Sequence, residues 1–344
     1  MTNPVHVPHG GKVKSKFGFE RATWRILMLL VFIVLAATGF FVSVAKGAVT
    51  MNVSQVVHIL LEPGSDSLSQ IIWNIRLPRS IVGALVGMNL ALSGAILQAI
   101  MRNPLADPHI IGISSGAGLA GITVMILFPH LEYLVTPVAF AGAMAAAAAI
   151  YLLAWKNGIK PVRIILAGVA VSAFLSAGIS SLLIFYSDRV HGALMWMVGG
   201  LATRSWPHVN IILPYAILGL VLAVAGAHYL NVLQLGDDMA RGLGLNVEIT
   251  RIVLTAIAAL LAASAVSVAG LLGFVGLIVP HITRLLIGSD YRFLIPGAGI
   301  LGMAVVTLSD TFARVILAPV ELPVGIIMAF VGAPFFLFLL RREI

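Results

Sequence analysis

Residues 252–287, IVLTAIAALLAASAVSVAGLLGFVGLIVPHITRLLI, decide the fold. The stretch is 36 residues long and carries one charge, Arg284. As a single helix rising 1.5 Å per residue it would reach about 54 Å, against a hydrocarbon core of roughly 30 Å. It is therefore predicted to be two crossings with a turn near residues 270–273, the second crossing short.

The rest of the chain has the same character. Residues 24–45, 80–100, 109–127, 134–155, 162–186 and 209–230 each suit one crossing, and 293–311 and 324–340 bring the total to ten. Of the 344 residues, 60% are hydrophobic and 10% charged, and mean hydropathy is +1.06. A soluble domain carries roughly 25% charged residues, so this chain cannot dress a water-facing surface. The fold class expected is an all-α polytopic membrane protein with ten transmembrane helices. The absence of cysteine excludes disulfides and thiolate metal sites.

Orientation follows from the basic residues. With ten spans and both termini cytoplasmic, 15 of the 21 Lys and Arg residues fall inside, and Lys46, Arg76, Arg79, Arg189, Arg204 and Arg314 fall outside. Were 252–287 one crossing, the split would weaken to 12 against 9. The net charge of +8 then collects on the face where anionic lipids attract it, and no nucleic-acid partner is needed to account for it. Residues 1–23 read as a basic cytoplasmic tail ahead of a single ten-span domain, 24–344. The first span, at 22 residues, exceeds a signal-peptide core and is expected to be retained.

Three stretches between spans carry information. Residues 49–74 form an external segment. Residues 191–203, HGALMWMVGGLAT, are apolar but too short to cross and suit a re-entrant helix. Residues 234–250, QLGDDMARGLGLNVEIT, are polar and inside, with room for two short helices broken at glycines. The chain has no G-x-x-x-x-G-K-[ST] phosphate loop, and acids within spans are nearly absent, with Asp310 at a span edge. ATP hydrolysis and a proton relay are therefore both unexpected here, and the energy source lies in a partner.

Three motifs, RLPRSIVGALVGMNLALSGAILQAIMRNPLADPHIIGISSGAGL (76–119), GFVGLIVPHITRLLIGSDYRFLIP (273–296) and VELPVGIIMAFVGAPFFLFLLRR (320–342), resemble the permease subunits of iron-siderophore and cobalamin importers, a family of ATP-binding-cassette transporters. The resemblance runs from about residue 24 to the C-terminus. It implies the type II importer permease fold in a bacterial cytoplasmic membrane. The implied partners are a second permease subunit (identical or paralogous), two ATPase subunits and an external substrate-binding protein or lipoprotein. ATP and magnesium would sit on the ATPase, and no cofactor on this chain. The substrate expected is a ferric siderophore, with cobalamin or haem as alternatives. An ion-coupled secondary transporter is the rival from another class, and a non-transporting scaffold a third.

Arg76, Arg79 and Arg314 stand at the outer ends of spans. Snorkelling to the interface is the bland reading. An Arg-x-x-Arg pair around a proline against the positive-inside bias favours carboxylate recognition, and the resemblance implies docking of the binding protein there. In 234–250 the bland reading is a solvated loop. The resemblance implies ATPase coupling, with Leu235, Gly236, Ala240, Leu243 and Gly244 matching the family's pattern and Asp237, Asp238 and Gly242 between them. Met195, Trp196 and Met197 are placed by resemblance on the translocation route, although an interfacial tryptophan is an equal alternative.

The tripeptide PHI occurs twice. Arg79 to Pro108 and Arg251 to Pro280 are both 29 residues apart, but only seven of 32 aligned positions match, so a shared site is not supported. Asp107–Pro108 before His109 reads as a helix start. Pro280 lies in an apolar run, where it removes the hydrogen bond to the Gly276 carbonyl and bends the helix, leaving neighbours to satisfy that oxygen. His281 shares a face with Arg284 and reads as a packing residue, since a metal site needs more ligands than this span supplies.

Overall fold

The computed structural model describes residues 14–47, 51–62, 64, 66–108, 112–155 and 161–343. The helices are α1 (Lys14–Ala45), α2 (Val53–Leu61) and α3 (Ser67–Ile71), which runs through a π turn at Ile72–Arg76 into α4 (Leu77–Met101). Then follow α5 (Ile113–Leu127), α6 (Val135–Ala154), α7 (Pro161–Phe185), α8 (Val190–Val198) and α9 (Trp206–Gln234). The chain closes with α10 (Asp237–Gly242), α11 (Val247–Ala269), α12 (Val275–Ile287), α13 (Tyr291–Val315) and α14 (Val324–Glu343). Among the described residues seven helical segments are long and apolar enough to cross a bilayer, and Ile113–Leu127, Val275–Ile287 and Val324–Leu339 are apolar but shorter. Among the described residues, each apolar stretch of the sequence overlaps one of these helices.

The break inside 252–287 is at Gly270. Its φ of +76° suits glycine, and a Cβ there would lie 2.1 Å from the Trp196 carbonyl oxygen. The end of α8 is thereby clamped onto the α11–α12 turn, with Gly200 N–H donating to the Ala269 carbonyl at 2.8 Å. The apolar stretch at 191–203 accordingly holds a nine-residue helix, α8, too short to cross.

Helix α4 is the centre of the bundle and packs against α13, α11, α9 and α12. Small residues permit this: a Cβ on Gly87 would lie 2.1 Å from the Gly302 carbonyl oxygen, and one on Gly94 only 1.9 Å from that of Gly276. Polar side chains add fixed contacts between α4 and α11, Asn89 donating to Ser264 Oγ (2.9 Å) and Ser93 to the Ala258 carbonyl (2.7 Å). Helices α1 and α7 are outermost and expose Leu30, Val34, Leu166 and Phe174. Apolar surface of that extent calls for lipid or a partner subunit.

Three sequence expectations change. The helix expected at Pro108 starts at Ile113 instead, with Gly112 as N-cap at φ +66°. Pro108 stands five residues ahead of that start, and His109 lies outside the described residues, as does the tail over 1–13. The glycine decides the start, because its left-handed conformation is the one an N-terminal side chain could not adopt cheaply. The boundary at residue 23 falls within α1, whose apolar part is Ala22–Ala45. Residues 234–250 hold one short helix, α10, rather than two: Asn246 caps α11 by accepting from Ile249 N–H, which assigns the rest of the segment to α11.

Candidate functional site

At one end of α4 the three arginines turn inward. Arg76, Arg79 and Arg314 are 4%, 7% and 5% exposed. The last turn of α1 leaves carbonyls without helical partners, and two of the arginines supply donors. Arg76 Nη1 reaches Val44 and Ala45 (3.1 and 2.9 Å), and Arg314 reaches Ser43 and Lys46 (3.0 and 3.2 Å). Arg79 makes a two-pronged pair with Asp310 (3.1 and 2.9 Å) and a further bond to Glu321 (2.7 Å). Asp310 also pairs with Arg314 at 3.1 Å. The guanidiniums predicted to face a docking partner are thus engaged within the chain, because this end of the bundle contains both the open carbonyls and the carboxylates that attract them.

Beside this cluster lies a cavity of about 670 Å³ whose lining includes Arg79, Glu132, Met195, Trp196, Arg204 and Glu321. Of the three residues predicted for a route, Met195 and Trp196 line it; Met197 packs against the core instead. Arg204 Nη1 lies 3.1 Å from His208 Nε2, and its Nε is buried with no hydrogen-bond partner among the described residues. Burial pushes the Arg204 guanidinium below its ordinary value, opposed in part by the charge of Glu132.

At the opposite end of α4 stands α10. Asp237 accepts from Arg251 through both oxygens (3.0 and 2.8 Å) and from Arg102, tying α10 to α11 and to the end of α4. Asp238 is exposed, with Arg241 at 3.6 Å. The two adjacent acids therefore differ: Asp237 is an anchor and Asp238 is surface. Ala240 is fully buried, whereas Leu235, Met239 and Leu243, spaced by four, are 58%, 62% and 63% exposed. Nothing lies within 4 Å of where a Cβ on Gly236, Gly242 or Gly244 would be. The segment is a short helix anchored through Asp237, with three large apolar side chains left bare around it.

Between the two ends, α12 passes unbroken through Pro280. The Gly276 carbonyl that the proline deprives receives Gln98 Nε2 at 3.3 Å, and Leu277 O receives the same group at 3.2 Å. Gln98 Oε1 accepts from Arg284 (2.9 Å), Arg284 reaches the Tyr291 hydroxyl (3.4 Å), and Gln234 donates to that hydroxyl (3.0 Å). His281 is buried with its ring edge-on to Phe335, centroids 6.0 Å apart. The sequence reading missed Gln98, Tyr291, Gln234, Glu132, Arg204 as a cavity residue, and Glu321. An amide inside an apolar span was the available signal for Gln98, and the four-residue spacing of Asp310 and Arg314 was the signal for an internal pair.

The model of the FecCD transport family matches residues 28–342. The chain is 37% identical over 323 residues to the Fe(3+)-citrate import system permease protein YfmD of Bacillus subtilis, covering 94% of this chain and 97% of the relative. It is 45% identical over 281 residues to the cobalamin import system permease protein BtuC of Halobacterium salinarum, covering 81% and 76%. Among solved structures, a metal-chelate type ABC transporter in an inward-facing conformation superposes with a TM-score of 0.81 at 29% identity, covering 91% of this chain and 98% of that one.

Proposed function

The chain belongs to the FecCD transport family, and on that premise we propose that it is the permease subunit of an ATP-binding-cassette importer that carries a ferric siderophore or similar iron chelate. Members of this family are multi-pass membrane transport subunits rather than enzymes. In this reading ten helices cross the membrane, both termini are cytoplasmic, and a second permease, identical or paralogous, completes the route. Two ATPase subunits hydrolyse ATP, and an external binding protein delivers the chelate.

The observation that carries the reading is the anchored α10 segment with Leu235, Met239 and Leu243 left bare around it. A chain without a phosphate loop needs a surface through which work enters, and bare apolar side chains around an anchored short helix supply one. The arginine end has a corresponding role. Arg79 would have to leave two carboxylates to pair with a docking partner, so we assign Arg76, Arg79 and Arg314 to bracing the docking surface from beneath. Cobalamin or haem is the alternative cargo. Affinity purification of the chain from its own membranes tests the reading: an ATPase subunit is recovered in equal amount, and recovery of the chain with no ATPase would sink it.

A further inference from the structure

We propose that the cavity beside Arg204 binds an anionic, oxygen-rich iron chelate of the polycarboxylate class, and that Arg204 selects such chelates over uncharged ones. The inference rests on the permease reading above and deepens it by naming the cargo's chemistry.

Charge in the cavity is unevenly satisfied. Arg79 is occupied by Asp310 and by Glu321, and Glu321 is thereby neutralised in turn. Glu132 stands exposed at the rim. Its charge is felt by Arg204, yet the two form no ion pair among the described residues. Among the described residues of the lining, Arg204 is the cation whose donors are not all used. Its 3.1 Å contact with His208 Nε2 is made to a ring nitrogen and not to a carboxylate. Among the described residues no carboxylate meets the guanidinium, and the buried Nε has no hydrogen-bond partner. A buried donor left open is costly, the more so when charged, and the planar fork of arginine matches carboxylate oxygens in pairs.

The other walls suit the rest of such a cargo. Met125, Met195, Trp196 and Leu201 line the cavity, offering polarisable apolar contacts that hold carbon without gripping it. The volume of about 670 Å³ lies within the roughly 300–1,000 Å³ of small-molecule sites. The loop that carries Arg204 is itself held, since the preceding Gly199–Gly200 turn is bonded to Ala269 and Gly325.

The test uses cells that carry the chain with its own partners, supplied with radioiron as ferric citrate, radioiron as a neutral ferric trihydroxamate, or labelled cobalamin. Wild type is expected to take up ferric citrate. Arg204→Gln should lower that uptake by about ten- to a hundredfold at equal membrane level, the loss of a charged hydrogen bond. Arg204→Lys, which keeps the charge without the fork, should fall in between and guards against a folding defect in the first variant. Glu132→Gln should raise ferric citrate uptake about two- to fivefold by removing a repelling rim charge. If Glu132→Gln instead lowers uptake as Arg204→Gln does, the two are a structural pair and the proposal fails. Unchanged ferric citrate uptake in Arg204→Gln also overturns it. So does a wild type that imports the trihydroxamate or cobalamin but not ferric citrate, an outcome that leaves the permease reading standing. A wild type that imports none of the three and purifies without an ATPase brings down both.

Discussion

Gln98 donates to the main-chain oxygen of Gly276 at 3.3 Å, the acceptor that Pro280 leaves without its helical partner. The same side chain accepts from Arg284, which shares the Tyr291 hydroxyl with Gln234. Gln234 is the last residue of α9, directly before the α10 segment. The turn of α12 at Pro280 and the end of α9 that leads into α10 thus belong to one hydrogen-bonded chain.

Gln98→Leu strips the donor from two carbonyls and the acceptor from Arg284. The expected loss is about 1–3 kcal/mol of stability, read as a lower melting temperature of the detergent-purified transporter. Because the network ends at Gln234, where α9 leads into α10, ATP hydrolysed per chelate imported should also rise. A variant that melts lower but keeps the wild-type ratio would show that Gln98 only holds the fold.

Arg79→Gln leaves Asp310 buried with Arg314 as its remaining ion-pair partner. Removing one member of a buried pair costs about 3–5 kcal/mol, so the variant should be lost from the membrane or aggregate on extraction. Glu321→Gln should cost under about 1 kcal/mol, because the Glu321 side chain is 43% exposed. Size-exclusion profiles after extraction separate the two cases. A well-behaved Arg79→Gln protein that merely fails to bind its delivery partner would return the arginine to a direct docking role.

Gly242→Trp meets open space and should leave membrane level and melting temperature near wild type. It should nonetheless disrupt ATPase seating, so that hydrolysis no longer responds to the binding protein. Gly244→Ala places a side chain at φ +84° and should cost about 1 kcal/mol of local stability. Normal uptake by Gly242→Trp would reduce the segment to a loop.

Asp290 gives a pH signature. Hydrogen bonds from Arg292 hold its carboxyl well below the ordinary 3.8, burial opposes them, and Asn231 assists. A depressed carboxylate contributes its full stability above its unfolded value and loses it progressively as pH falls through the folded value. The stability gap between wild type and Asp290→Asn should therefore be constant from pH 7 to about pH 4 and close below that. Thermal melts across that range check it, and a gap that closes near neutrality would assign the effect to another group.

Much of this was legible because hydropathy and helix length are local properties. The break at Gly270, the short α8 and the deprived Gly276 carbonyl all follow from composition within a few residues. What was not legible depends on distant partners. Arg79 meets Asp310 across 231 positions and Gln98 meets Gly276 across 178; nothing in either segment announces the other. The inward turn of the arginines is of that kind, since it depends on where α1 ends relative to α13. Asp237 and Asp238 look equivalent in sequence and separate only when Arg251 is placed beside one of them. The displaced start of α5 is a different failure: Asp-Pro is a good start signal, but a left-handed glycine nearer the apolar run prevailed.

The central claim is that this chain conducts a chelate using work received from an ATPase. The direct measurement is radioiron uptake into proteoliposomes holding the complete transporter, with ATP inside and the binding protein and ferric chelate outside. The account predicts uptake that requires both ATP and the binding protein, stops with a non-hydrolysable ATP analogue, and ignores an imposed proton gradient. Uptake driven by that gradient in the absence of ATP would contradict it.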